Sequence, residues 1–242
     1  MKATAEPASA VDLVSWRERY RREMNCQIVH DSLHAREGWT RPFMLHVADA
    51  PAGYGSVLVG GPWAGTRTIF EFYVVPERQS RVFDLFGALV EASVATHVRT
   101  QTNDALLTNM LHTLVADVTS EKIVFHDKLT TAHPPRGAVF RRASASDETA
   151  WVLDVDGTIA ATGGIHFHYN RPYGDLYMEV AEPLRRRGLG SYMVQELKRV
   201  CYELGSVPCA RCNTTNVASR ATLQISGFVP CAHILTGPVV PR

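Results

Sequence analysis

Arg185, Gly188 and Gly190 stand at the spacing Arg-x-x-Gly-x-Gly, within Arg185-Arg186-Arg187-Gly188-Leu189-Gly190-Ser191, between a strand-like run ending at Val180 and a helical pattern opening near Gly188. A helix start leaves its first N–H groups without intrahelical acceptors and carries partial positive charge. The turn therefore reads as an anion cradle. Its main chain would do the binding, its glycines would let a ligand come close, and its guanidinium groups suit phosphate oxygens better than ammonium groups do. The same letters also fit a plain solvated helix start, so the surroundings of the turn decide between the two readings.

The elements that must position this turn follow from periodicity. Residues 9–24 place Val11, Val14 or Leu13, Trp16 and Tyr20 at helical spacing among charges, which predicts an amphipathic helix. From Phe43 the pattern changes to short apolar or alternating runs at 44–49, 55–61 and 68–75, broken by prolines and glycines, which read as strands and turns. Helices are expected over 80–93 and 103–115, with strands at 96–102 and 122–129. Residues 130–137 hold two prolines and a glycine and read as a linker. The same order then returns, with strands at 137–143, 150–157, 158–169 and 175–181, a helix over 188–204, a strand at 208–214, a short helix over 217–225 and a last strand at 228–236. The return of this order argues for a tandem repeat, although residue identity between the halves is slight.

Composition excludes several classes. With 242 residues, 45% apolar and 20% charged, the chain is an ordinary globular sequence long enough for two small domains. A net charge of +1 gives no global field for nucleic acid or an anionic membrane. No apolar run approaches the ~20 residues that span a bilayer, and the start lacks a signal pattern, so a cytoplasmic location is expected by default. Cys26, Cys201, Cys209, Cys212 and Cys231 are odd in number and scattered, which reads as reduced thiols rather than a disulfide framework.

Downstream of the turn come Asn216-Val217-Ala218-Ser219, then Ala221-Thr222-Leu223, then Gly227-Phe228. Together with Arg185-x-x-Gly188-x-Gly190 and the hairpin turn Asp156-Gly157, these resemble the GNAT superfamily of N-acetyltransferases over residues 137 to about 237. The resemblance implies an α/β fold (α+β in some schemes) of two GNAT-like domains, each a mixed, largely antiparallel sheet flanked by helices, with splayed central strands. Residues 1–130 would be a degenerate copy and residues 137–242 the catalytic, acyl-CoA-binding domain. The reaction implied moves an acetyl group from acetyl-CoA to a small-molecule or peptide amine, with no nucleic-acid or membrane partner and with room for an oligomer.

The family pattern assigns roles residue by residue. Amides of Gly188, Leu189, Gly190 and Ser191, with Arg185, Arg186 and Arg187, would hold the pyrophosphate. Main chain at Met178 and Val180 would pair with the pantetheine arm in the gap between the strands near 176–180 and 208–213, Asn216 would contact that arm, and Ser219 would leave room for it. The thioester would lie near the bulged end of the first of these strands. An ammonium has no lone pair, so acyl transfer needs a proton acceptor; Glu179 and His168 are the chosen candidates, with His166 and Asp175 beside them.

Two departures stand out. The family commonly places a tyrosine four residues before the Gly-Phe pair, and this chain has Leu223 there. The N-terminal half carries Arg78-Gln79-Ser80-Arg81-Val82-Phe83 where the turn should be, without glycine, and Asp104 where Asn216 would be, so it is expected to keep the fold without the cofactor, as a scaffold or a wall of the acceptor site. Two other functions remain open: a catalytically silent acyl-CoA binder or sensor, and a haloacid dehalogenase-type phosphatase using Asp154 and Asp156 of Leu153-Asp154-Val155-Asp156-Gly157-Thr158. The phosphatase also needs a later acidic pair to hold magnesium, and none follows. No metal site is expected, because Cys209-x-x-Cys212 has no second pair and residues three apart on a strand face opposite ways.

Overall fold

The computed structural model describes residues 2–132, 137–144 and 149–240, so the core of the expected linker, 133–136, lies outside the described residues. Twelve strands and five α-helices are described, a mixed α/β fold. The chain divides into two compact units, residues 1–121 with 233–242, and residues 122–232. This division differs from the expected one at 130–137: the strand before the linker joins the second unit, and the last residues of the chain join the first.

The first unit contains β1 (Ala3–Pro7), α1 (Val14–Met24), β2 (Thr40–Val47), β3 (Ala50–Leu58), β4 (Thr68–Val74), α2 (Val82–Ser93), β5 (His97–Gln101) and α3 (Ala105–Leu114). Its sheet runs β1-β2-β3-β4-β5 and is completed by the far end of β12 (Phe228–Pro238), whose residues Ile234 to Pro238 pair antiparallel with β5. All neighbours are antiparallel except β4 and β5, which are parallel and joined through α2. Phe43, Leu45, Ile69, Phe72, Leu85, Phe86, Leu89 and Leu107 form the core beneath α2 and α3. On the other face Tyr20 from α1 packs with Tyr54 and Tyr73. The helix expected from residue 9 begins at Val14, after a turn over residues 10–13 that opens on reciprocal bonds between Ser9 and Asp12: Ser9 N and Oγ donate to Asp12 Oδ2, at 2.9 and 2.7 Å, and Asp12 N donates to Ser9 Oγ at 3.3 Å.

The second unit takes β6 (Thr119–Asp127) from Lys122 onward, then β7 (Ala138–Arg142), β8 (Ala150–Val155), β9 (Thr158–His166), β10 (Tyr173–Val180), α4 (Leu189–Glu203), β11 (Val207–Asn213), α5 (Val217–Ile225) and the start of β12. Its strand order, β7-β8-β9-β10-β11-β6, repeats the first unit's order and directions, with β10 and β11 as the parallel pair and α4 as the crossover. The strands that complete the two sheets follow the last helix of the other unit in sequence, β6 after α3 and β12 after α5. Leu153, Ile165, Leu176, Leu189, Met193, Leu197 and Phe228 centre the core. Asp156 and Gly157, both at positive φ (51° and 77°), make the two-residue turn between Val155 and Thr158 that an Asp-Gly pair favours.

The parallel pair opens early in both units. Pairing of β10 with β11 covers Tyr173↔Val207 to Asp175↔Cys209 and stops; β11 then continues against β6 and β10 against β9. In the first unit β4 meets β5 only at Thr68↔His97 and Ile69↔Val98. One expectation needs correction. β10 carries no bulge, because Asp175 to Val180 match His166 to Ala161 residue for residue, and the second unit's register shift lies at Leu153/Asp154 on β8 instead. The first unit's β4 does carry an extra residue, Phe70, opposite the Ser56/Val57 shift in β3.

Candidate functional site

Along β10, Leu176, Met178 and Val180 turn to the core beneath α4, while Tyr177 and Glu179 are exposed on the opposite face. Main-chain direction follows from one bond. Ala181 N donates to Ala160 O, so odd-numbered β10 residues pair with β9 and even-numbered ones point the other way. Past the end of pairing with β11, the main chain at Met178 and Val180 thus faces the opening between the two strands. Arg185 fills part of this edge, with Nε donating to Val180 O at 3.1 Å.

The glycine turn follows a short 3-10 turn over Glu182–Leu184. Arg186 (φ 64°) and Gly188 (φ 79°) are both left-handed, and Arg185, Arg186 and Arg187 are exposed. Gly188 is the N-cap of α4 and no side chain caps the helix. The first amide bond into the helix is Tyr192 N to Gly188 O, which leaves the amides of Leu189, Gly190 and Ser191 without an acceptor inside the helix. The two glycines have different work. A Cβ at Gly188 would meet nothing within 4 Å, whereas one at Gly190 would sit 3.2 Å from Met178 Cε and 3.3 Å from Thr222 Cγ2. Gly188 supplies the left-handed turn on the open side, and Gly190 lets the helix start press onto β10 and α5.

Asn216 is exposed and caps α5, its Oδ1 accepting from Ser219 N at 3.0 Å, and Ser219 is half-buried on the first turn. The first unit repeats this cap: Asp104 Oδ1 accepts from Leu107 N at 3.0 Å at the start of α3. Leu223 is buried in the core, so no hydroxyl stands at the family's usual tyrosine position.

The proposed proton acceptors are placed very differently from one another. The Glu179 side chain is exposed and makes no hydrogen bond or ion pair among the described residues. His166 ends β9 with its ring stacked on Tyr177, 4.3 Å between centroids, and burial followed by the nearby His168 lowers its pKa below the ordinary histidine value. His168 lies past the end of β9, its ring 5.5 Å from that of His166. Its Nε2 is 3.0 Å from Oδ2 of the buried Asp175 and 3.1 Å from Arg211 Nη2, while Arg211 Nε is 3.4 Å from the same carboxylate oxygen. Tyr169 completes the cluster, edge-on to His168 at 4.8 Å and under the Arg211 guanidinium at 5.5 Å. Its hydroxyl pKa is pushed well up, by burial and then by the Asp175 charge. Arg211 and Tyr169 were not singled out in the sequence; the signal available was a charged residue inside the otherwise apolar run Val207 to Cys212.

The rival motif is structural. Asp154 Oδ1 accepts from Gly157 N at 2.9 Å, so the two aspartates of the phosphatase-like stretch serve a tight hairpin between antiparallel strands. Cys209 and Cys212 face opposite sides of β11, Cys212 into the core and Cys209 donating to Gly174 O.

In the first unit the corresponding turn is a 3-10 segment, Pro76–Arg81, that runs into α2 without a positive φ, and Arg81 pairs with Asp84 at 2.7 Å. The Tyr20 hydroxyl donates to Asp104 Oδ2 at 2.8 Å while its ring packs against Tyr73 of β4. One side chain thus reaches from the β4 face to the helix cap that follows β5. The structure has no helix long and apolar enough to cross a membrane among the described residues.

Fold and site together define a mixed α/β protein built on splayed parallel strands with a glycine-turned helix start, and residues 116–228 match the model of the acetyltransferase (GNAT) family. The region that matches holds the whole strand, turn and helix arrangement just described. Among solved structures, the chain is similar to an acetyltransferase from the GNAT family from Colwellia psychrerythraea, at 14% identity over 98% of this chain and 100% of that one, with a TM-score of 0.75. It is also similar to a GCN5-related N-acetyltransferase from Sphaerobacter thermophilus, at 13% identity over 99% and 96% of the chains, TM-score 0.63. A tandem GNAT protein from the clavulanic acid biosynthesis pathway aligns over 100% of both chains at 13% identity and TM-score 0.58. At these identities the likeness concerns the fold. No curated protein sequence matches the chain.

Proposed function

We propose that the second unit is an acyl-CoA-dependent N-acyltransferase that takes an acetyl group from acetyl-CoA and passes it to an amine of a small molecule or peptide. The observation that carries this reading is the helix start at Gly188, where three amides without helical acceptors and three exposed arginines lie beside strands that part after Asp175 and Cys209. These residues fit the donor. Amides from Gly188 to Ser191, with Arg186 and Arg187, would take the diphosphate, and Met178 and Val180 main chain would pair with the pantetheine amides. Arg185 is the exception, since its guanidinium is turned to Val180 O and its role there is to hold the strand end. Asn216 and Ser219 would flank the arm from α5, with Asn216 able to offer its amide nitrogen while its oxygen caps the helix.

The first unit is read as a degenerate copy. Its strand order, its early parting of β4 and β5 and the matching caps at Asp104 and Asn216 support a duplication. Its turn without glycine and the Tyr20 to Asp104 bond support loss of the cofactor site. Leu223 in the core supports a second reading, a binder without turnover, because no hydroxyl stands ready to protonate the leaving thiolate there. A free-thiol release screen with acetyl-CoA against an amine library separates the two: release with at least one amine class supports the transferase, and tight acetyl-CoA binding without release across the library supports the silent binder.

A further inference from the structure

We propose that α2 is the contact face of a symmetric dimer of this chain, its exposed apolar stripe packing antiparallel on the same stripe of a second copy. Two stripes of α2 are apolar. Leu85, Phe86 and Leu89 go into the core of the first unit, while Phe83, Gly87, Val90 and Val94 follow one another at steps of four, three and four residues and form a second stripe beside it. Phe83 is 55% exposed and Val94 62%. Together with Leu114 and Val240, also of the first unit, this stripe lines an open groove of about 950 Å³. Contiguous exposed apolar surface rimmed by polar residues marks an interaction site.

The charges around the groove say what fills it. Arg81 stands where α2 begins, held by Asp84 at 2.7 Å, and Glu91 stands towards the other end without an ion pair among the described residues. Lys2 adds to the basic end, since Ala3 pairs with Val47 and Gly53 with Val74, the end of β4 that leads to α2. A groove with one basic and one acidic end is complementary to its own reverse. In a two-fold contact residue i of one copy meets residue j of the other, and j meets i. Antiparallel α2 helices therefore bring Arg81 to the partner's Glu91 twice. Gly87 then lies near the axis, where its missing side chain lets the backbones come close, and Phe83 lies against the partner's Val90 and Val94. Parallel helices would set Arg81 on Arg81 and Glu91 on Glu91, and an acyl chain in the groove would make no use of these charges.

The contact is modest in size. α2 has 12 residues and, at 1.5 Å per residue, is ~18 Å long. One helix and its groove bury less than the ~800 Å² a side of a standard interface, so monomer and dimer should exchange at micromolar concentrations. The glycine turn at Gly188 belongs to the second unit and takes no part in this face.

Sedimentation velocity of the full chain at low salt, from about 1 to about 200 µM, tests the dimer, and the parent should pass from monomer to dimer over that range. Val94→Asp puts a charge on the stripe at a position too exposed to trouble the fold and should leave a monomer throughout. Arg81→Glu and Glu91→Arg each set like charges together at both ends of the contact and should each weaken association about 10-fold or more. An equimolar mixture of these two variants should dimerise again, because the altered side chains then face each other at one end and the unaltered ones at the other. Circular dichroism checks that each variant is folded. A parent that stays monomeric at about 200 µM, or a dimer that Val94→Asp leaves intact, overturns the proposal. A mixture no more associated than its separate components overturns the antiparallel pairing, and a monomeric parent that binds a fluorescent fatty acid at Phe83 and Val94 gives the groove to an acyl chain instead.

Discussion

Lys198 provides the sharpest test of how the second unit is held together. It lies on α4, 5% exposed, its ammonium ion-paired with Asp127 Oδ1 at 2.6 Å and donating to Leu129 O at 2.6 Å and Ser226 O at 2.7 Å. Through it the helix that begins at the anion turn is tied to the end of β6 and to the turn before β12. Lys198→Met keeps most of the packing against Phe228 but leaves Asp127 with only the Tyr202 hydroxyl, at 2.9 Å, and strips two carbonyls of their donor. Removing one partner of a buried ion pair costs about 3–5 kcal/mol. At a urea dependence of about 2 kcal/mol per molar, the unfolding midpoint should fall by about 2 M. The double variant Lys198→Met, Asp127→Asn should recover part of that loss, because no uncompensated charge then remains. A Lys198→Met midpoint within about 0.5 M of the parent's would show that the ammonium does not do this work.

Other outcomes follow from single contacts. Burial raises the Asp104 pKa from 3.8 to about 6, against the bonds from Leu107 N and Tyr20. A folded-state value above the unfolded one means its contribution is complete below 3.8 and is lost as pH rises through about 6. The parent should lose about 3 kcal/mol over that window and Asp104→Asn should not, as read by urea midpoints at about pH 4 and about pH 7. Asp154→Asn should leave acetyl-CoA binding and thiol release unchanged, since Asp154 serves the hairpin turn, and the protein should hydrolyse no generic phosphoester with magnesium; hydrolysis abolished by that substitution would restore the phosphatase.

The strands and helices were legible because their periods are clean, and the glycine turn because Gly188 (φ 79°) takes the left-handed conformation that glycine adopts without strain. Edge strand β1 escaped notice: five residues with a terminal proline carry too little pattern, and only pairing with β2 makes them a strand. Which strand completes each sheet is equally invisible, since β6 and β12 alternate alike whichever neighbour they take. The site was half legible. Asp175 and Arg211 lie far apart in sequence and meet only because the parallel pair brings β10 and β11 together at Asp175↔Cys209. Nothing in the sequence marks Lys198, because the partners that make its burial tolerable come from two other segments, at 127–129 and at 226.

The central claim is that the helix start at Gly188 grips the diphosphate of acetyl-CoA, and calorimetric titration of the parent and of Gly188→Glu tests it most directly. The side chain enters open space, and a left-handed non-glycine there costs about 1–2 kcal/mol, which the neighbouring Arg186 already shows the turn can carry. The fold should persist by circular dichroism, while repulsion at the helix start and loss of close approach, worth about 2 kcal/mol or more, weaken acetyl-CoA binding by about 30-fold or more. A folded Gly188→Glu protein that binds acetyl-CoA as tightly as its parent would contradict the account.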